Sequence, residues 1–342
     1  YVQGWQNYQE QCLDLRSPES DGFGVYRTSV AVLKTHATKG FPGGICASLS
    51  IPWGFAKGDD DLGGYHLIWP RDLVESALGL LAAGDVESAR LTLLFLVATQ
   101  EADGHWPQNM WVTGLPWWNG IQMDETALPI LLADRLRREG ALGGVDLWPV
   151  VQRAAAYLVR NGPVTQQDRW EEDPGYTPFT LAAEVAALLA AADFADEAHQ
   201  AATARYLRET ADCWNSRIED WIYVAGTEIA QHVGVDGYYV RMTPADLSDA
   251  ASPVSGYVAI KNRPPGESGF RADQIVSADA LALVRFGLRA ADDPRIVNTV
   301  KVIDAMLKSE TATGPIWYRY NNDGYGEHDD GGPFDGTGVG RG

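Results

Sequence analysis

The stretch DRWEEDPGYTP, residues 168–178, sets two adjacent glutamates, Glu171 and Glu172, behind Trp170 and then stops the chain with Pro174 and Gly175. Two readings compete. An acidic surface turn is the common one. The other is a carboxylic acid held against an apolar ring, where burial disfavours the charged form and leaves a proton to donate near neutral pH. In GGYHLIWPRDL (63–73), Arg71 and Asp72 stand where a helix should begin. They are either a helix start favoured by the dipole, or a guanidinium and a carboxylate that hold the hydroxyls of one sugar. In DGHWPQNMWVTGLPWWNGIQMDETAL (103–128), four tryptophans precede the acid pair Asp124-Glu125, again at a helix start.

The wider composition bears on these choices. Twelve tryptophans, 14 tyrosines and 36 glycines are many for 342 residues. Trp and Tyr offer flat apolar faces with a polar edge, which suit stacking on a sugar ring; the alternative is a large aromatic core. Location favours the first, since Trp69, Trp106, Trp111, Trp117, Trp118, Trp170 and Trp317 sit in loops beside acids. The chain is 45% apolar and 21% charged, enough for a large core and against disorder. A net charge of −19 argues against a nucleic-acid partner and suits a neutral substrate. No stretch approaches the 18 apolar residues of a membrane span. Cys12, Cys46 and Cys213 lie far apart, without metal-ligand spacing, so they are buried thiols or one disulfide and a free thiol. The six histidines are scattered and receive no role. The chain begins at Tyr1 without a signal peptide and reads as processed or as a fragment. The expected location is secreted, cell-surface or periplasmic, with the cytoplasm as the alternative.

Helices must position these segments. Leu181, Val185, Leu188 and Leu189 share one face of a helix that Pro178 can start. Similar runs cover about 25–38, 70–84, 86–100, 123–139, 145–161, 199–220, 277–290 and 294–309. Long Gly-, Trp-, Asn- and Asp-rich loops at 39–68, 101–122, 163–177 and 310–342 separate alternate helices, and such loops usually carry function. This alternation predicts one all-α domain over 1–342, a toroid of paired helices with its active site at the long-loop end. About nine helices are present where six pairs need twelve. A minor β-hairpin is expected from Trp221–Val224 and Tyr238–Met242 around Asp236-Gly237.

Four segments, in this order, resemble the glucoamylase and glucodextranase family of inverting glycoside hydrolases, especially its bacterial branch. They are SLSIPWGFAKGDDDLGGYHLIWPRDLVES (48–76), IQMDETAL, RWEEDPGYTP and YRYNNDGYGEHDDGGPFDGTGVGR, and the likeness runs over essentially the whole chain. The resemblance implies an (α/α)6 barrel. It implies Glu171 as the general acid, with Asp168 and Trp170 flanking it and Glu172 as a substrate-binding carboxylate. It also implies Arg71 and Asp72 as the grip on the terminal glucose, with Tyr65 and Trp69 as wall residues. Trp118 and Asp124 keep the family's spacing, and Arg319 matches an arginine that contacts sugar near the scissile bond.

Glycosidic cleavage needs an acid for the leaving oxygen and a base for water on the opposite face, roughly 6.5–9.5 Å apart in an inverting enzyme. In the family the base lies on a loop between the last two helices, where this chain has already ended, so the base is expected from the rest of the polypeptide or a second chain. The implied function is an exo-acting inverting α-glucoside hydrolase that releases β-glucose from non-reducing ends, with dextran and isomaltooligosaccharides favoured over starch. A glucosyltransferase, a trehalose-acting relative and a non-catalytic sugar-binding protein are the alternatives. No cofactor is required. A structural Ca2+ is conceivable at Asp323, Glu327, Asp329, Asp330 and Asp335, although the loop lacks EF-hand spacing and a solvated acidic loop is the favoured reading.

Overall fold

Three prolines mark where helices begin. Pro70, Pro178 and Pro294 each occupy the first turn of a helix, Pro70–Ala82, Pro178–Glu197 and Pro294–Leu307, where a missing N–H costs nothing. Side-chain caps add to this. Asp85 accepts from the Ser88 N–H (3.0 Å) ahead of Val86–Thr99, and Asp293 accepts from the Arg295 N–H (2.9 Å). The structure, a computed structural model, describes residues 1–15, 24–49, 64–245, 256–261, 263–264 and 266–325.

The chain divides into two compact units: residues 1–120 with 128–156, and residues 121–127 with 157–342. In the first, Pro70–Ala82 packs on Val86–Thr99, and Val25–Thr35 packs on Pro70–Ala82. The interior beside them holds Leu93, Leu96 and Trp106, whose indole N–H donates to the Leu96 carbonyl (3.0 Å). Trp106 is therefore core, and the sugar-facing reading fails for it. In the second unit Pro178–Glu197 packs on Ala201–Asn215. The helices Met123–Arg138 and Trp148–Asn161 each run through both units.

Pro178–Glu197 is apolar on every side, as expected of a helix surrounded by protein. By length and composition it could cross a membrane, which corrects the expectation that no stretch approaches that limit; 83% of its apolar window is buried within the protein. Two other expectations need correction. The proposed helix 277–290 breaks into the 3-10 turn Ala278–Leu281 and the short Ala282–Arg285, and Gly287 follows with a left-handed φ of 79°. The proposed hairpin exists as Tyr223–Ala225 against Gly237–Tyr239, but Asp236-Gly237 is not its turn. A helix, Glu228–Val233, fills the connection, capped at its start by Thr227 and ended by Gly234. Four further strand pairs occur among the described residues: 109–110 with 116–118, 175–176 with 243–244, 257–259 with 269–271, and 308–311 with 314–317. The helix Val2–Gln11 lies outside the expected set. Cys12, Cys46 and Cys213 are free thiols, the first two buried.

Midway along Pro178–Glu197 lies Glu184, fully buried among alanines, with neither carboxyl oxygen hydrogen-bonded among the described residues. Burial and the nearby Asp124 push its pKa well above the carboxylate range. The fold therefore favours its neutral form. That contribution is complete below the usual carboxylate range and is lost as pH rises toward the raised pKa. Glu184→Gln cannot ionise, so it should abolish this loss. Thermal unfolding between pH 5 and 8 is expected to show a flatter profile, by at most about 1.4 kcal/mol per pH unit, with the variant gaining on the wild type at the alkaline end.

Candidate active site

The sequence-predicted residues fall into both units. In the first, the strand Pro116–Trp118 is anchored by Asn109, whose side-chain oxygen accepts from the Trp118 N–H (3.0 Å). Trp118 then meets Trp69 edge to face at 6.3 Å, and Tyr65 lies 6.0 Å from Trp69, an aromatic wall of three rings. Pro70 carries the chain from Trp69 into the helix, so Arg71 and Asp72 fall in its first turn. Arg71 is buried, but the Asp72 side chain is 48% exposed and only 4.0 Å from it at closest approach. Of the two, Arg71 is withdrawn from water, whereas Asp72 keeps contact with solvent among the described residues.

In the second unit the acid turn is closed by its own backbone and by Asp168. The Glu171 N–H donates to the Asp168 carbonyl (2.8 Å), and the Asp168 N–H donates to the Asp173 carbonyl (2.9 Å). One carboxylate oxygen of Asp168 accepts from the Glu172 N–H (2.9 Å). This closure holds Glu171 at a left-handed φ of 66°, which costs a residue with a Cβ roughly 1–2 kcal/mol. The two glutamates consequently diverge. Glu171 stays partly exposed, whereas Glu172 is 2% exposed. Gly175 completes the turn by lying against a neighbouring strand, where a Cβ would come within 2.4 Å of the Thr243 carbonyl oxygen.

Glu172 is held by polar partners from distant sequence. The Tyr320 hydroxyl donates to one of its oxygens (2.5 Å) and Arg241 Nη2 donates to the other (3.3 Å). The same Nη2 donates to Asp168, and the guanidinium stacks 4.0 Å from the Tyr320 ring centre. Burial raises the Glu172 pKa, while Arg241 and Tyr320 pull it back. Trp170 contacts two cations, with Arg169 at 4.8 Å and Arg319 at 4.9 Å from its ring centre. Arg319 is fixed by Asp323 (2.6 Å) and Arg169 reaches the buried Asp279 (3.3 Å). Trp170, Glu172 and Arg319 are thus brought together around the turn that carries Glu171.

Asp124 is fully buried in the same unit, accepting from Thr180 Oγ1 (3.4 Å). Its segment is tied to the approach of the acid turn, since the Gln167 N–H donates to the Ile121 carbonyl (3.2 Å). No group of three or more His, Cys, Asp or Glu able to hold a metal occurs among the described residues. Asp323 is committed to Arg319, and Glu327, Asp329, Asp330 and Asp335 lie outside the described residues, so nothing described supports the calcium site. Sequence reasoning missed Arg241, Tyr320 and Asp279. An arginine within the otherwise apolar and aromatic run YYVRMTP was the available signal for the first.

A solved bacterial glucoamylase, complexed with acarbose, is similar to the whole chain with a TM-score of 0.86 and 40% identity, and the chain covers 48% of it. The fold class is accordingly the all-α (α/α)6 class. The chain belongs to glycosyl hydrolases family 15, whose model matches residues 99–335. It is 40% identical over 344 residues to a glucoamylase of Clostridium sp. (strain G0005), and 31% identical over 130 residues to an uncharacterized glycosyl hydrolase of Methanocaldococcus jannaschii. These alignments take in 100% and 36% of this chain, and 46% and 21% of the relatives. The chain spans about half the length of the first of them. A wild-type glycosidase at 18% identity shares the fold with a TM-score of 0.55, covering 84% of this chain and 70% of its own.

Tyr320→Phe tests the anchoring of Glu172. It removes a donor to a buried carboxylate, a contact worth about 1.5–3 kcal/mol, and Glu172 should take up a proton at higher pH than in the wild type. A denaturant titration at pH 7 is expected to show that loss; unchanged stability would mean that the hydroxyl carries no such role.

Proposed function

We propose that this chain supplies the acid half of the active site of an exo-acting, inverting α-glucoside hydrolase. The observation that carries the reading is the acid turn itself: in a family 15 chain, backbone closure holds Glu171 partly exposed while its neighbour is bound away by Arg241 and Tyr320. Glu171 then protonates the glycosidic oxygen. Trp170 lies against the acid turn, and Arg319, stacked on that ring, offers guanidinium donors to sugar hydroxyls. Arg71 and Asp72 take the terminal glucose, and Tyr65, Trp69 and Trp118 stack on sugar faces. Asp124 supports the sugar-binding side from the interior. Inversion also needs a second carboxylate, the base that activates water on the opposite face of the sugar. Substrates are α-glucans, with α-1,6-linked dextran and isomaltooligosaccharides ahead of starch, and the protein works in a secreted, cell-surface or periplasmic setting.

A single glucose held by a charged pair at its non-reducing end leaves no room for chain on that side, so cleavage removes one unit at a time. Water entering opposite the leaving oxygen gives β-glucose. Proton NMR of the polypeptide acting on an α-1,6-glucan during the first minutes checks both points. β-Glucose is expected as the first product; α-glucose or internal oligosaccharides would overturn the reading. Binding without any product would indicate a sugar-binding protein, and new glucosides in place of glucose a transferase.

Glu171→Gln keeps the shape and loses the proton. Turnover of substrates with poor leaving groups should fall by about 10²–10⁴-fold while sugar affinity stays near that of the wild type. Steady-state kinetics beside equilibrium binding of isomaltotriose separates the two, and near-normal kcat would assign the acid elsewhere.

A further inference from the structure

In the reading above, Arg241 serves only to hold Glu172, yet its placement is unusual for a residue with that task alone. Its side chain is fully buried, and two of its nitrogens, Nε and Nη1, have no hydrogen-bond partner among the described residues. Desolvating a guanidinium without satisfying it works against stability, and an apolar residue of similar volume would often serve the core better. The geometry gives it another task. Its backbone is fixed on one side, where the Arg241 N–H donates to the Ile275 carbonyl (2.9 Å). Two residues on, the strand Thr243–Pro244 pairs with Gly175–Tyr176, directly after the acid turn. From there Nη2 joins Asp168 to Glu172, the first and last side chains of the segment whose crest is Glu171.

We propose that Arg241 is a positioning residue of the acid turn, which by tying Asp168 to Glu172 fixes where Glu171 is presented. The inference rests on the glucosidase reading of that turn. Asp168 contributes both its oxygens, one to the Glu172 N–H and one to Arg241, so the guanidinium sets the orientation of the carboxylate that closes the backbone. Lysine cannot reproduce this, because a single ammonium lacks the planar fork and cannot stack on Tyr320 in the same way. Methionine would leave Asp168 and Glu172 facing each other without the charge between them. The charged and titratable groups around Glu172 are then Asp168, Tyr320 and Arg319, with Asp173, Lys261 and Asp279 near the rest of the cluster.

The test compares wild type, Arg241→Lys, Arg241→Met and Glu171→Gln in the active polypeptide, with isomaltotriose as substrate, from pH 3 to 8. Arg241→Lys retains the charge and is expected to fold. Its kcat should fall at least about tenfold with KM changed much less, because the acid is misplaced while the sugar contacts remain. Arg241→Met, where it folds, should move the acidic limb of kcat/KM upward by about one pH unit or more, since Glu172 loses the cation that favours its ionised form. Loss of thermal stability in Arg241→Lys with wild-type kcat and an unmoved pH profile would overturn the proposal and leave Arg241 a structural residue. An inactive wild type would instead remove the glucosidase reading, and this inference with it. Activity in the wild type, absence in Glu171→Gln and normal kcat in Arg241→Lys would sink the positioning role alone.

Discussion

A guanidinium buried between two carboxylates is the contact on which the acid turn depends. Asp168 and Glu172 stand four positions apart in the chain and both are withdrawn from water, so their charges would repel strongly without the cation between them. Breaking a buried pair of this kind typically costs about 3–5 kcal/mol, because one charge is left uncompensated. The left-handed backbone at Glu171 costs roughly 1–2 kcal/mol. Losing the cation would thus cost more than the strained backbone at Glu171 does. Three segments far apart in sequence meet around that cation: residues 168–172, Arg241 and Tyr320.

Two neighbouring residues of the same type gain opposite environments from this arrangement. Glu172 turns inward to Tyr320 and Arg241, and burial is opposed there by specific donors. Glu171, at the crest, stays in partial contact with solvent. The aromatic side is built on the same economy of charge. Trp170 takes Arg169 on one contact and Arg319 on another, and each arginine is paired in turn with a buried aspartate, Asp279 or Asp323. A ring stacked with cations tolerates buried guanidinium groups that an aliphatic wall would not.

The helices were legible because their signals are local. Pro70, Pro178 and Pro294 announce helix starts, and apolar spacing does the rest. The failures share a physical cause, dependence on contacts between distant residues. Nothing near Asp236-Gly237 shows that Thr227 will cap a helix inside the supposed hairpin. Nothing near Trp106 shows that its indole N–H will find Leu96 in the interior. The apolar helix Pro178–Glu197 reads the same in sequence whether lipid or protein surrounds it. Of the proposed site, family likeness singles out Glu171, Glu172, Trp170 and Arg319, and the structure gathers Trp170, Glu172 and Arg319 around one turn. Arg241 was not legible, since its contact with Asp168 exists only once Thr243–Pro244 pairs with Gly175–Tyr176 beside the acid turn.

The most direct measurement is a crystal structure of the Glu171→Gln polypeptide with isomaltotriose bound across the scissile bond. The side-chain amide of residue 171 should lie within about 2.6–3.2 Å of the glycosidic oxygen. Glu172 should still be held by Arg241 and Tyr320. A glycosidic oxygen in contact with another carboxylate, and residue 171 turned away from it, would contradict the account.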